Sequence, residues 1–163
     1  DRVKSALFDI LGDHVMGARV LDIFAGSGGL GLEALSRGAT RTIFVDIDRS
    51  ASDVIRENLR ILGFQDRAQV WKEGYARAIR KLGTDRQTFD LIFSDPPYDR
   101  SMTVEVLALL NSTGILAQHS IVVTECSKHE ALPDRIGPLL NIRERKYGDT
   151  RLAFWGLGAS QPV

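Results

Sequence analysis

Two short stretches of this sequence hold residue types that chemistry would use. The first is Leu21-Asp22-Ile23-Phe24-Ala25-Gly26-Ser27-Gly28-Gly29-Leu30-Gly31, where Gly26, Gly28 and Gly31 stand at the G-x-G-x-x-G spacing. Glycines so placed let a backbone turn tightly out of a strand, approach a ligand closely and enter a helix. Asp46 follows twenty residues after Gly26, where a carboxylate ending a second strand can accept both hydroxyls of a ribose. Enzymes using NAD(P), FAD and S-adenosylmethionine all share a loop and acid of this kind. Asp22 tilts the choice: an acid just before the loop would repel a pyrophosphate, but suits the cationic amino and sulfonium groups of S-adenosylmethionine. It can also tie down loop amides. The expected cofactor contacts are therefore Asp22, Phe24, Ala25, Gly26, Ser27, Gly28, Gly31, Asp46 and Ile47.

The second stretch, Asp95-Pro96-Pro97-Tyr98, follows the predicted strand Phe89 to Ser94. An exocyclic amine on a nucleic-acid base is a poor nucleophile, because its lone pair is delocalised into the ring. The Asp95 carboxylate and the Pro96 carbonyl can each accept one of its N–H groups, drawing the nitrogen toward tetrahedral geometry and offsetting charge as a methyl group arrives. Pro96 and Pro97 stiffen the backbone that aims these acceptors, and Tyr98 offers a flat face on which an extruded base can stack. These four are the expected catalytic residues.

Both stretches need a scaffold that brings strand ends to one edge. Val3, Ala6, Leu7, Ile10 and Leu11 follow helical spacing. A strand over Arg19–Phe24 leads into the glycine loop and a helix reaching about Arg37, closed by Gly38. Thr42–Val45 reads as a strand, and Asp48 or Ser50 caps the next helix, which Gly63 ends. Ala68–Trp71, Phe89–Ser94 and Ile121–Glu125 are further strands. A short helix carries Ala76, Ile79 and Leu82, and another carries Val104, Leu107 and Leu110. Ile142–Tyr147 and Arg151–Trp155 flank Gly148-Asp149-Thr150 as a closing hairpin. Alternating strands and helices predict an α/β, Rossmann-like fold: a mostly parallel seven-stranded sheet with an antiparallel C-terminal strand and helices on both faces.

The 163 residues suit one domain, and 21 basic against 21 acidic residues leave no net charge. A free-standing nucleic-acid binder usually carries a basic excess, though a local patch can steer a polyanion. No stretch reads as a membrane span or a secretory leader. The single Cys126 forms no internal disulfide and belongs to no metal-ligand cluster, which fits a reducing cytoplasm. His14, His119 and His129 lack ligand spacing, so no metal is expected. Arg143, Arg145, Lys146 and Arg151 bracket the closing turn and either meet phosphates or form a solvated strand face. Asp1 stands inside what reads as a helix, without a Met before it, so an N-terminal segment is expected to precede it.

The segments Asp1-Arg2-Val3-Lys4-Ser5-Ala6-Leu7-Phe8-Asp9-Ile10-Leu11, Asp22 to Ala39, Phe44 to Arg49, Asp90 to Tyr98 and Lys146-Tyr147-Gly148-Asp149-Thr150 together resemble the bacterial 16S rRNA guanine-N2 methyltransferases of the small ribosomal subunit. The loop and the D-P-P-Y motif are common to many amino-methyltransferases; the opening helix and the Tyr-Gly-Asp-Thr turn point to this family. The resemblance implies an S-adenosylmethionine-dependent methyltransferase domain over residues 1–157, followed by a tail over 158–163. It implies methyl transfer to guanine N2 of 16S rRNA, within a small-subunit particle. Two features depart from the family pattern. A basic arm and an Arg-Pro-Thr segment before the opening helix are missing, and Glu73-Gly74-Tyr75 stands where the family often has Gly-Asp-Ala facing the cofactor adenine. Adenine recognition then falls to backbone groups or to Glu73. Rival readings are a methyltransferase acting on DNA adenine or cytosine or on a protein glutamine, an NAD(P)-dependent oxidoreductase, and a catalytically silent RNA-binding module.

Overall fold

The computed structural model describes residues 1–97 and 102–158; Tyr98 of the D-P-P-Y motif and most of the tail lie outside them. The strands are β1 Arg19–Ile23, β2 Arg41–Asp46, β3 Ala68–Lys72, β4 Phe89–Ser94, β5 Leu116–Ser127, β6 Arg135–Ile136, β7 Leu139–Tyr147 and β8 Thr150–Gly156. The helices are α1 Arg2–Leu11, α2 Gly29–Ser36, α3 Arg49–Leu62, α4 Tyr75–Thr84 and α5 Thr103–Ser112. All strands join one sheet in the order β3-β2-β1-β4-β5-β8-β7-β6. The first five run parallel, whereas β8, β7 and β6 are antiparallel to their neighbours.

Strand side chains alternate between two apolar layers, as the period of two requires. Val20, Phe44, Leu91, Phe93 and Val123 pack with Leu7 and Phe8 of α1, Leu32 and Leu35 of α2, and Ile55 and Leu59 of α3. Leu21, Ile43, Val45, Ile92, Val122 and Trp155 pack on the other side with Ile79 and Leu82 of α4 and Val106, Leu107 and Leu110 of α5. The expected layout, a mostly parallel sheet between helices with an antiparallel end, is therefore observed.

Several details differ. Asp1 does not continue α1 but caps it, its carboxylate accepting the Val3 amide at 2.8 Å and the Lys4 amide. The α3 cap is Asp48, which accepts the Ser50 amide at 2.9 Å, and Gly63 closes that helix in the left-handed conformation. On α5 the buried face is Val106, Leu107 and Leu110, and Val104 is exposed. Among the described residues the sheet has eight strands where seven were expected, because the two-residue β6 folds back on β7. A strand that short offers no alternation to read. Thr150 belongs to β8, opposite Tyr147, so the closing turn is tighter than Gly148-Asp149-Thr150.

Candidate active site

The chain moves from β1 outward through β2 to β3, then returns to the other side of β1 as β4. Where strand order reverses, the connections leave β1 and β4 in opposite directions and a crevice opens at their carboxyl ends. Ile23 lies beside Ser94 in the parallel register, so the next residues of each strand, Phe24 and Asp95, enter the crevice together. Phe24 adopts a left-handed backbone with φ +58°, a conformation uncommon for a non-glycine residue. Its ring rests on Tyr75, with centroids 5.2 Å apart.

The glycine loop is held by the protein's own acceptors. The Ala25 amide donates to the Val45 carbonyl at 3.0 Å and the Gly28 amide to the Ala25 carbonyl at 2.8 Å. The Gly26 amide donates to Asp46 Oδ2 at 2.8 Å, and the other Asp46 oxygen accepts the Asp48 amide at 2.9 Å. Beneath the loop, Asp22 is almost wholly buried and accepts the Gly31 amide at 3.0 Å. Gly31 has to be glycine: a Cβ there would sit 2.3 Å from Phe44 Cε1. The Ala25, Gly26, Gly28 and Gly31 amides thus turn toward carboxylates and carbonyls, not outward as a cradle for a pyrophosphate.

Electrostatics follow from this placement. Burial pushes the Asp22 carboxyl up to about 8; the Gly31 hydrogen bond pulls the other way, and the charges of Asp95 and Asp46 add to the rise. A buried carboxyl of this kind gains most from a cationic neighbour. Asp95 is solvent-accessible because it opens onto cavities, but it sits deep in the crevice, and that depth raises its carboxyl while a hydrogen bond with Glu125 lowers it. Glu125 is pushed up to about 7 by burial, by the Asp95 charge and by that same hydrogen bond.

Two cavities meet at Asp95. The larger, about 880 Å³, is mostly apolar and is bordered by Phe24, Asp46, Ile47, Tyr75, Pro96 and Pro97 among others. The smaller, about 360 Å³, is lined by Asp95, Glu125, Cys126, Ser127, Asp149 and Thr150. Of the residues expected from sequence, Phe24, Asp46, Ile47, Asp95, Pro96 and Pro97 share the larger cavity. Asp22 and Gly31 sit behind the wall as its support, and Ala25, Gly26, Ser27 and Gly28 form the adjoining turn. Ile47 is 73% exposed, an apolar side chain left uncovered at the cavity mouth.

Sequence reasoning missed the α4 side of the wall. Gly74, Tyr75, Ala76, Arg77, Arg80 and Met102 also border the cavity, and Tyr75 donates its hydroxyl to Glu105 at 3.3 Å. Glu73, also on this wall, pairs with Arg77 at 3.0 Å. The departure at Glu73-Gly74-Tyr75 was the available signal. Glu125 was read only as a strand end. Arg151 is not a phosphate contact: it is 8% exposed, donates to the Glu130 carbonyl and lies 3.7 Å from Glu144. Among the described residues, no group of three or more His, Cys, Asp or Glu could hold a metal ion, and no helix is long and apolar enough to cross a membrane.

The profile of the family described as Conserved hypothetical protein 95 matches residues 1–156. The chain belongs to that family. A Bacillus subtilis (strain 168) relative, provisionally named rRNA methyltransferase YlbH, is 37% identical over 155 residues, covering 95% of this chain and 84% of that protein. Ribosomal RNA small subunit methyltransferase D of Escherichia coli (strain K12) is 35% identical over 138 residues, covering 82% of this chain and 65% of that protein. This chain therefore spans just under two thirds of the Escherichia coli relative. The solved structure of yhhF from Escherichia coli, a provisional methyltransferase, matches with TM-score 0.86 at 31% identity, covering 98% of this chain and 88% of that one. The resemblance carried by the opening helix, the loop, D-P-P-Y and the Tyr-Gly-Asp-Thr turn is thus borne out at the level of family. The Conserved hypothetical protein 95 fold places β1 and β4 side by side, which is what brings the two motifs into one crevice.

Proposed function

We propose that this chain transfers a methyl group from S-adenosylmethionine to the exocyclic N2 amine of a guanine in 16S rRNA, acting in the cytoplasm on a small-subunit particle. The observation that carries this reading is the position of Asp95, a hydrogen-bond acceptor that opens onto both a cavity large enough for a nucleoside and a second, polar cavity. The names of the Bacillus subtilis and Escherichia coli relatives agree with it.

The residues present fit the cofactor. Asp46 and Ile47 would meet its ribose and adenine side, with Phe24 and Tyr75 as flat apolar neighbours. Asp22, raised by burial, would be satisfied by the cationic amino-acid end beyond the loop of Ala25, Gly26, Ser27, Gly28 and Gly31. The Ala25, Gly26, Gly28 and Gly31 amides, which a pyrophosphate of NAD(H) would need, already donate to protein acceptors. When bound, S-adenosylmethionine supplies an electrophilic methyl group. Asp95 and the Pro96 carbonyl accept the two amine N–H groups and hold the nitrogen lone pair in line, so the protein contributes orientation and charge stabilisation. Asp95 need not be a strong base, since the alkylated nitrogen sheds its proton readily. Tyr98, outside the described residues, is assigned the stacking face for the base. In this reading residues 1–157 are the catalytic domain.

The test is transfer of labelled methyl from S-adenosylmethionine to small-subunit particles from cells lacking this gene, with the product located by mass spectrometry. N2-methylguanine in 16S rRNA is the expected product. Methylated adenine, DNA or glutamine would reassign the substrate, and tight NADH binding without binding of the methyl donor would overturn the class.

A further inference from the structure

Glu125 is an acid at the crevice to which the proposed chemistry gives no task. Ser94 and Thr124 are partners in the parallel register of β4 and β5, so Asp95 and Glu125 are the next residues of adjacent strands at the same edge. Their situations differ. Asp95 is the first residue beyond its strand, whereas Glu125 lies within β5, flanked by β4 and by Leu152 of β8. Its neighbour Thr124 accepts the buried Trp155 Nε1 at 3.0 Å, which anchors that part of β5. A strand carboxyl thus stands beside a loop carboxylate at one sheet edge, and both border the smaller cavity.

We propose that Glu125 is a positioning residue for Asp95: its carboxyl O–H donates to one Asp95 oxygen and leaves the other free to accept the substrate amine. This rests on the methyl-transfer reading of Asp95. A carboxyl group can donate only while it keeps its proton, and the surroundings favour that. Asp95 faces Glu125 from β4, with Asp22 of β1 behind it. Asp149, from the β7–β8 turn, shares the smaller cavity and pairs with Lys128 at 3.1 Å. Arg151 of β8 turns to Glu144, the Glu130 carbonyl and the Cys126 sulfur. Half-buried beside these acids, Glu125 is raised to about 7. Below that pH it donates to Asp95; above it, two carboxylates face one another, the hydrogen bond is lost and Asp95 is no longer held.

The test is single-turnover methyl transfer to small-subunit particles from about pH 6 to about pH 9, comparing the full chain with Glu125→Gln and Glu125→Ala. Wild-type rate should fall through the upper half of that range. Glu125→Gln, whose amide N–H still donates, should stay within about threefold of wild type at the lower end and lose the alkaline fall. Glu125→Ala should be slower by about tenfold at the lower end, with cofactor affinity unchanged. An alkaline fall in Glu125→Gln identical to wild type, or a full rate in Glu125→Ala, would overturn the proposal. A second readout does not depend on turnover or on the alanine variant folding. The labelled Glu125 carboxyl, followed by NMR, should titrate well above the ordinary glutamate range and drop in Asp95→Asn; an ordinary titration unmoved by Asp95→Asn also overturns the proposal. Absence of any transfer by the wild-type chain, with the raised titration present, would instead sink the methyl-transfer reading, and with it the role of Glu125 in transfer.

Discussion

The Asp46 carboxylate accepts the Gly26 amide at 2.8 Å across twenty residues of sequence, so a single acid both shapes the glycine loop and borders the larger cavity. Asp46→Ala should therefore weaken S-adenosylmethionine binding by about 1–3 kcal/mol, the range for losing a hydrogen-bonding charged group. It should also speed amide exchange at Gly26. Calorimetry and hydrogen exchange check the two effects separately. Unchanged affinity together with faster exchange would leave Asp46 a loop brace and nothing more.

Asp95 separates binding from chemistry. Asp95→Ala should leave cofactor affinity nearly unchanged and slow single-turnover transfer by about a hundredfold to a thousandfold, as for loss of one preorganised polar group. Asp95→Asn should keep part of the rate, because its amide oxygen still accepts one hydrogen bond. A full rate in Asp95→Ala would mean that the amine is activated elsewhere.

The pH dependence of Asp22 has a definite sign. Burial raises its folded-state carboxyl to about 8, above the ordinary aspartate range. Between those limits the folded protein keeps a proton that the unfolded chain releases, so ligand-free stability falls as pH rises through that window. Denaturant midpoints should show this fall in wild type and a smaller one in Asp22→Asn. The methyl donor and its demethylated product carry the same ammonium at the end assigned to Asp22, so the affinity of both should rise with pH through that window in wild type and rise less in Asp22→Asn. Affinities that do not rise with pH, or that rise equally in Asp22→Asn, would remove Asp22 from the cationic end of the site.

Gly31→Ala tests close approach. Alanine favours a helix over glycine by about 1 kcal/mol, but its Cβ would meet Phe44 at 2.3 Å and Asp22 Oδ2 at 3.0 Å. Overpacking of this kind costs about 1–3 kcal/mol, so the variant should be net destabilised. Adding Phe44→Leu should recover part of the loss, as a double-mutant cycle on thermal midpoints would show. Additive effects in that cycle would mean that the strain is relieved elsewhere.

Legibility in the sequence tracked how local each determinant was. The span of β4 was readable to the residue because Leu91, Ile92 and Phe93 form an apolar run that leads into a proline-stiffened turn. The ends of α3 were readable because Asp48 and Gly63 act on their own backbone neighbourhood. Asp22 was readable because its partner Gly31 is nine residues away on the same turn. Glu125 was not, since its tie to Asp95 exists only once β4 and β5 are neighbours, and strand order is not written in local periodicity. Arg151 misled for a related reason. It looks like one basic residue of an outer hairpin, yet β8 lies inside the sheet between β5 and β7, and the residue is covered on both sides. The early part of β5 escaped because its pairing with β4 shifts register between Phe89 and Leu91, which breaks the pattern a strand would otherwise show.

The inward place of β8 also bears on how the molecule is made. Although the last strand among the described residues, β8 carries the wholly buried Phe154 and Trp155 and separates β5 from β7. A nascent chain emerging in order therefore presents β5 with an open, apolar flank until residues 150–156 have left the ribosome. Until then β5 is an unpaired strand edge of the kind that recruits other chains. Polypeptides interrupted before Thr150 should consequently accumulate as aggregates or be degraded, as pulse-labelling of truncated chains would show.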